Sequence, residues 1–190
     1  MTSRRDTVRA LTGIAALPFA RKLGLFDLCE IGRRAHALAE SPDSAPLRAL
    51  SAAEFDTVTQ AAERIIPRTN TPGATDANVA GFIDVMLADW YEPAERDRFK
   101  AGLANLDMRA NSQFGRTFSK SSHARQTTLL EALDAELQTQ RQSSQTNADD
   151  NWFAMLKHLT IWGFYTSRVG IEQELKQQVV AGHYDGNAPY

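Results

Sequence analysis

A chain of 190 residues with 43% hydrophobic content is long enough to close one domain around a buried core. Its formal net charge of -2, with Lys and Arg spread along the chain, leaves no electrostatic footprint for nucleic acid, which is therefore not expected as a partner. The single cysteine, Cys29, excludes an internal disulfide, a haem attached through Cys-x-x-Cys-His and an iron-sulfur cluster held by several cysteines, and leaves no second cysteine for a cysteine-based metal site.

The first nine residues are basic, residues 11–20 (LTGIAALPFA) are apolar, and small residues close the run: the three-part layout of a signal peptide. Ten residues are too few to span a bilayer. Arg4 and Arg5 stand before the run and look like the pair of a twin-arginine export signal, with Thr7 and Val8 where bulkier apolar residues are usual. Arg21 and Lys22 after the run favour the same route. Residues 1–20 are thus expected to be a signal segment. Residues 21–49 read as a linker with room for a short helix over 25–38 and a turn-rich stretch at 41–46 (SPDSAP).

The folded body is expected over residues 50–190. Ser51 and Glu54 form a capping box opening a helix with Phe55, Val58, Ala62, Ile65 and Ile66 on one face, and Pro67 ends it. Pro72-Gly73 marks a tight turn in which Gly73 is free to take positive φ. A second helix carries Val79, Phe82, Ile83, Met86, Leu87 and Trp90 at intervals of three and four. Pro93 suits the first turn of a third, with Phe99, Leu103, Leu106 and Ala110 inward. Ser121 and Ser122 are placed to cap a fourth, striped by Leu129, Leu130, Leu133 and Leu137, and the polar residues 138–150 read as its frayed end and a loop. The fifth, over about 151–167, is apolar on most sides, so Trp152 and Trp162 either fill one large core or face a partner. A short helix around 171–179 and a tail through Gly182, Tyr184 and Tyr190 complete the chain. No stretch alternates with period two. The fold class is all-α, an irregular bundle of about five main helices with an extended C-terminal tail.

Catalytic signatures are missing from the sequence. No glycine-rich dinucleotide or phosphate loop occurs, and no Gly-x-Ser-x-Gly elbow. His36, His123, His158 and His183 lie far apart and form no ligand pair. The adjacent Asp149 and Asp150 point away from each other and read as a solvated helix start. Catalytic, cofactor and metal residues are all expected to be none.

Residues 50–59, then Arg64-Ile65-Ile66-Pro67 with Thr71-Pro72-Gly73-Ala74, then residues 79–84, resemble the gluconate 2-dehydrogenase subunit 3 family. Gly163-Phe164-Tyr165-Thr166-Ser167 with Gly170, followed by Gly182-His183-Tyr184-Asp185-Gly186, is similar to that family's closing motif. The resemblance implies a small γ-type subunit of a periplasmic dehydrogenase, not an enzyme by itself. Its partner would be a large FAD-binding subunit of the glucose-methanol-choline type that oxidises a sugar, sugar acid or glycoside, with a c-type cytochrome as a further partner. The twin-arginine translocation machinery would export the pair. Under this reading Pro67, Pro72, Gly73, Trp162, Tyr165, Gly182, Tyr184 and Tyr190 are candidate partner-interface residues. Two alternatives stay open: a maturation chaperone that releases the flavoprotein after FAD loading, and a free-standing helical enzyme or small-ligand binder.

Overall fold

The computed structural model describes residues 25–40, 47–143 and 151–175. These form six α-helices and no strand: α1 (Leu25–Ala39), α2 (Ala52–Ile65), α3 (Val79–Asp89), α4 (Pro93–Phe114), α5 (His123–Ser143) and α6 (Trp152–Thr166). A 3-10 turn at Phe118–Lys120 precedes α5, and a π turn at Gly170–Glu174 follows α6. The all-α irregular bundle is as expected, with one more helix. The signal segment with Arg4 and Arg5, and the tail with Gly182, Tyr184 and Tyr190, lie outside the described residues.

Helix starts follow local chemistry. Ser51 Oγ accepts from the Glu54 N–H at 3.4 Å while the Ser51 N–H donates to Glu54 Oε2 at 2.8 Å, so both halves of the capping box are present. Pro93 occupies the first turn of α4, where its missing N–H costs nothing, and Gly115 ends that helix at φ 68°. Asn151 Oδ1 caps α6 by accepting from the Phe153 N–H at 2.8 Å. Helix α5 runs to Ser143, past the fraying expected from residue 138. Its polar surface is tied down: Arg109 of α4 makes a two-pronged pair with Glu136 at 2.6 and 3.1 Å, and Asn151 Nδ2 donates to Gln140 Oε1 at 2.7 Å.

The apolar excess of α6 has a structural answer. This helix packs against all five others, so its different faces meet different neighbours. Phe153, Leu156, Leu159 and Phe164 are all buried. Trp162 is 1% exposed and meets Phe82 edge-on, ring centroids 5.3 Å apart. It fills the core and offers no area to a partner, because α1 and α3 close over it. Trp152 likewise leans inward, over Gly102 of α4, where a β-carbon would come within 2.1 Å of the indole.

The stretch expected as a linker contributes to the bundle. Helix α1 lies on α3 and α6, with Leu28, Ala35 and His36 buried. The chain then enters α2 through a clamp built on Asp84, a carboxylate only 3% exposed. Its Oδ2 accepts from the Arg48 N–H at 2.7 Å, and its Oδ1 accepts from the N–H groups of Ala49 and Leu50 at 2.9 and 2.8 Å. A buried charge needs such partners, and three backbone donors supply them.

Candidate partner interface

Between α2 and α3 the chain turns through residues 66–78, and two carboxylates hold that loop. Glu63, in the last turn of α2, accepts from the Arg68 N–H at 2.8 Å, the Thr75 N–H at 3.0 Å and the Thr75 hydroxyl at 2.7 Å. Asp76 accepts from the Gly73 N–H at 2.9 Å and pairs with the Arg68 guanidinium. Ala74 N–H closes the loop onto the Ile66 carbonyl at 2.9 Å. Burial alone would push the Glu63 carboxyl up, but the hydrogen bonds from Arg68 and Thr75 together hold it below the usual range.

Gly73 serves this turn through clearance. Its φ is not positive, contrary to expectation; the left-handed position is taken by Asn78 at φ 47°. A β-carbon on Gly73 would come within 2.5 Å of the Arg68 backbone nitrogen and 2.6 Å of Glu63 Oε1. The buried glycine therefore lets the two ends of the loop approach and share Glu63. Pro67 is exposed and Pro72 half-buried, so both remain available at the surface.

A second close approach shapes the end of α6. Ser167 Oγ donates to the Phe164 carbonyl at 2.6 Å and accepts from the Gly170 N–H at 3.0 Å. A β-carbon on Gly170 would fall 2.1 Å from the Phe164 carbonyl oxygen. Residues 167 and 170 thus turn the chain back against the helix it has just left, and the Leu175 N–H completes the turn on the Gly170 carbonyl at 3.0 Å.

These two constructions meet. Thr69, Asn70, Thr71 and Pro72 form one wall of a cleft of about 480 Å³, and Val169 and Gln173 form the other. On the opposite side of the π turn, Tyr165, Thr166 and Ile171 face Cys29, His36 and Ala37 of α1 across a groove of about 540 Å³. Tyr165 is half-buried, its ring edge-on to Phe164 at 5.2 Å. Of the residues expected at an interface, Pro72 and Tyr165 therefore line the two hollows that flank the last turn, with Gly73 beneath. Pro67 lies on the same loop, Trp162 is in the core, and Gly182, Tyr184 and Tyr190 lie outside the described residues. Sequence reasoning missed Glu63, Asp76 and Asp84. Two of them had a faint signal: Glu63 is an acid near a helix C-terminus, where the dipole favours a base, and Asp84 interrupts an apolar run.

Among the described residues, no group of three or more His, Cys, Asp or Glu is placed to hold a metal ion. No helix among them is long and apolar enough to cross a membrane. The arrangement offers shape and hydrogen-bonding edges.

The sequence profile of the family described as gluconate 2-dehydrogenase subunit 3 matches residues 52–183, and the chain belongs to that family. The match covers α2 to the π turn and begins after α1. Neither the curated proteins nor the solved structures contain a match to this chain.

Proposed function

We propose that this member of the gluconate 2-dehydrogenase subunit 3 family is the non-catalytic small subunit of a periplasmic flavin-dependent dehydrogenase. It supports export, assembly and stability of a large FAD-binding subunit that oxidises a sugar, sugar acid or glycoside. The observation that carries the reading is the family match over residues 52–183. The construction of the bundle supports it: two hydrogen-bonded turns, each with a close approach at a glycine, Gly73 and Gly170, wall a cleft between residues 68–76 and residues 169–173 at the surface. A preshaped surface of this kind loses little conformational entropy on binding, which favours a lasting complex.

In this reading the chain holds no cofactor of its own; FAD belongs to the partner, and a c-type cytochrome takes the electrons. A flavoprotein must fold around FAD before crossing the membrane. The twin-arginine route accepts folded cargo, so one signal, carried by Arg4 and Arg5, serves both subunits. The interface comprises Pro67, Pro72, Gly73 and Tyr165, extended by Gly182, Tyr184 and Tyr190. Replacing both Arg4 and Arg5 by Lys should leave the subunit folded and strand the dehydrogenase in the cytoplasm, because an ammonium does not reproduce the planar guanidinium pair. Cell fractionation with activity assays reads this out. Undiminished periplasmic activity in the double variant would refute the targeting role.

A further inference from the structure

Helix α1 holds to the bundle differently from the helices around it. Its first half packs through Leu28 and Ile31, but its second half sets only Gly32, Ala35 and Ala39 inward, with an imidazole, His36, among them in place of a large apolar side chain. Gly32 lies over Trp162, where a β-carbon would sit 3.5 Å from the indole Nε1. His36 is 9% exposed, stacked on Phe82 with ring centroids 4.6 Å apart and planes 30° apart. The Thr166 hydroxyl donates to the Trp162 carbonyl at 2.6 Å, so its oxygen is left to accept from His36 Nε2 at 3.1 Å. Asn78 Nδ2 fastens the far end by donating to the Ala39 carbonyl at 3.1 Å. Fifteen residues make a helix that is marginal without tertiary support. It also lies outside the family match, while the surface beneath it lies within.

We propose that α1 is a detachable strap, seated on α3 and α6 while the His36 ring is neutral and released when that ring takes a proton, uncovering the face made by Phe82 and Trp162. Charged and titratable groups reach the surroundings of the ring from α1, from the end of α6 and from the turn after it. Cys29 and Arg33 of α1 and Glu40 just after it line the same groove, Arg33 being tied to Glu30 at 2.6 Å. From the end of α6 and the turn after it come the Tyr165 phenol, Arg168 and Glu172, the last two paired at 3.0 Å. From α3 the ring meets Phe82, and the Asp84 carboxylate on that helix is taken by the backbone of residues 48–50. Burial lowers the imidazole to about 4, against the weaker opposing effect of a hydrogen bond to the Gly163 carbonyl.

Since the seated value lies below the free value of 6.5, seating is strongest above pH 6.5 and weakens as pH falls towards 4. Between pH 7 and pH 5 the opening equilibrium of α1 should rise about twentyfold. The inference concerns this chain alone and stands apart from the proposed export route.

Hydrogen exchange on the full chain, read peptide by peptide and corrected for intrinsic rates, tests it. From pH 7 to pH 5, peptides from α1 should lose protection by that factor while peptides from α2 and α6 keep theirs. The variant His36→Phe keeps a ring on Phe82 and removes the titration, so its α1 protection should not respond to acid; His36→Gln provides the same test if the Phe variant misfolds. The proposal is overturned if wild-type α1 shows no acid response, if it opens only together with α2 and α6, or if the variants respond as the wild type does.

Discussion

The two sides of α6 are built on different principles. Towards α3 it is sealed by large apolar rings, Trp162 against Phe82, with Leu159 and Phe164 likewise buried. At its end, where the 66–78 loop meets the π turn, carboxylates, a serine and two glycine clearances set the geometry. Dispersion and hydrophobic burial are non-directional, so the first region supplies stability without fixing a surface. Hydrogen bonds are directional and modest in net energy, so the second fixes a surface without supplying much stability. A subunit that binds a partner needs both, and here they lie in neighbouring parts of one helix.

Substitutions sharpen this contrast. Trp162→Ala removes the largest fully buried side chain and should cost about 3–5 kcal/mol in denaturant-induced unfolding. If the loss were under about 1 kcal/mol, the apolar seam would not be the source of stability. Asp84→Ala tests a polar anchor placed inside the core. Three backbone N–H groups would lose their acceptor, for a cost of roughly 2–4 kcal/mol, and Asp84→Asn should recover only part of it. Equal melts for the wild type and the Ala variant would show that water replaces the carboxylate without penalty. Gly73→Ala should have the smallest effect on folding, about 1–3 kcal/mol for forcing a β-carbon against the Arg68 backbone. Its larger consequence should be local: the hydrogen bonds to Glu63 lengthen and the loop shifts, visible as amide chemical-shift changes confined to residues 63–78.

The helices were largely legible because their signals are local. The Ser51 and Glu54 box, Pro93 and the leucine stripe of α5 each act within a few residues, and each is found where the sequence puts it. What depends on contacts distant in sequence was not legible. The hydrophobicity of α6 shows that several faces are covered but not by what; only the packing of five helices around it decides that Trp162 is core. Helix α1 was visible as a short helix, yet its seat on Phe82 and Trp162 joins residues more than forty positions apart. The Pro72-Gly73 turn was visible as a turn, but the reason for its glycine lies in the approach of Arg68 and Glu63 rather than in a left-handed backbone. Within the candidate interface, composition marked Pro72 and Tyr165. The carboxylates that hold the loop carry no compositional mark strong enough to separate them from solvated surface acids.

The central claim is that this chain binds a flavoprotein through the end of the bundle around residues 66–78 and the tail beyond it. The direct measurement is co-expression with the large subunit, purification through a tag on this chain, and flavin absorbance of the eluate, for the wild type, Gly73→Ala and a deletion of residues 182–190. The account predicts flavin in stoichiometric amount with the wild type and none with the chain expressed alone. It predicts a reduced amount with both variants, on the order of 1–3 kcal/mol of binding for each tyrosine lost from the tail, while the deletion leaves the thermal melt of the isolated subunit unchanged. Flavin bound to the chain alone, or full flavin recovery with both variants, would contradict it.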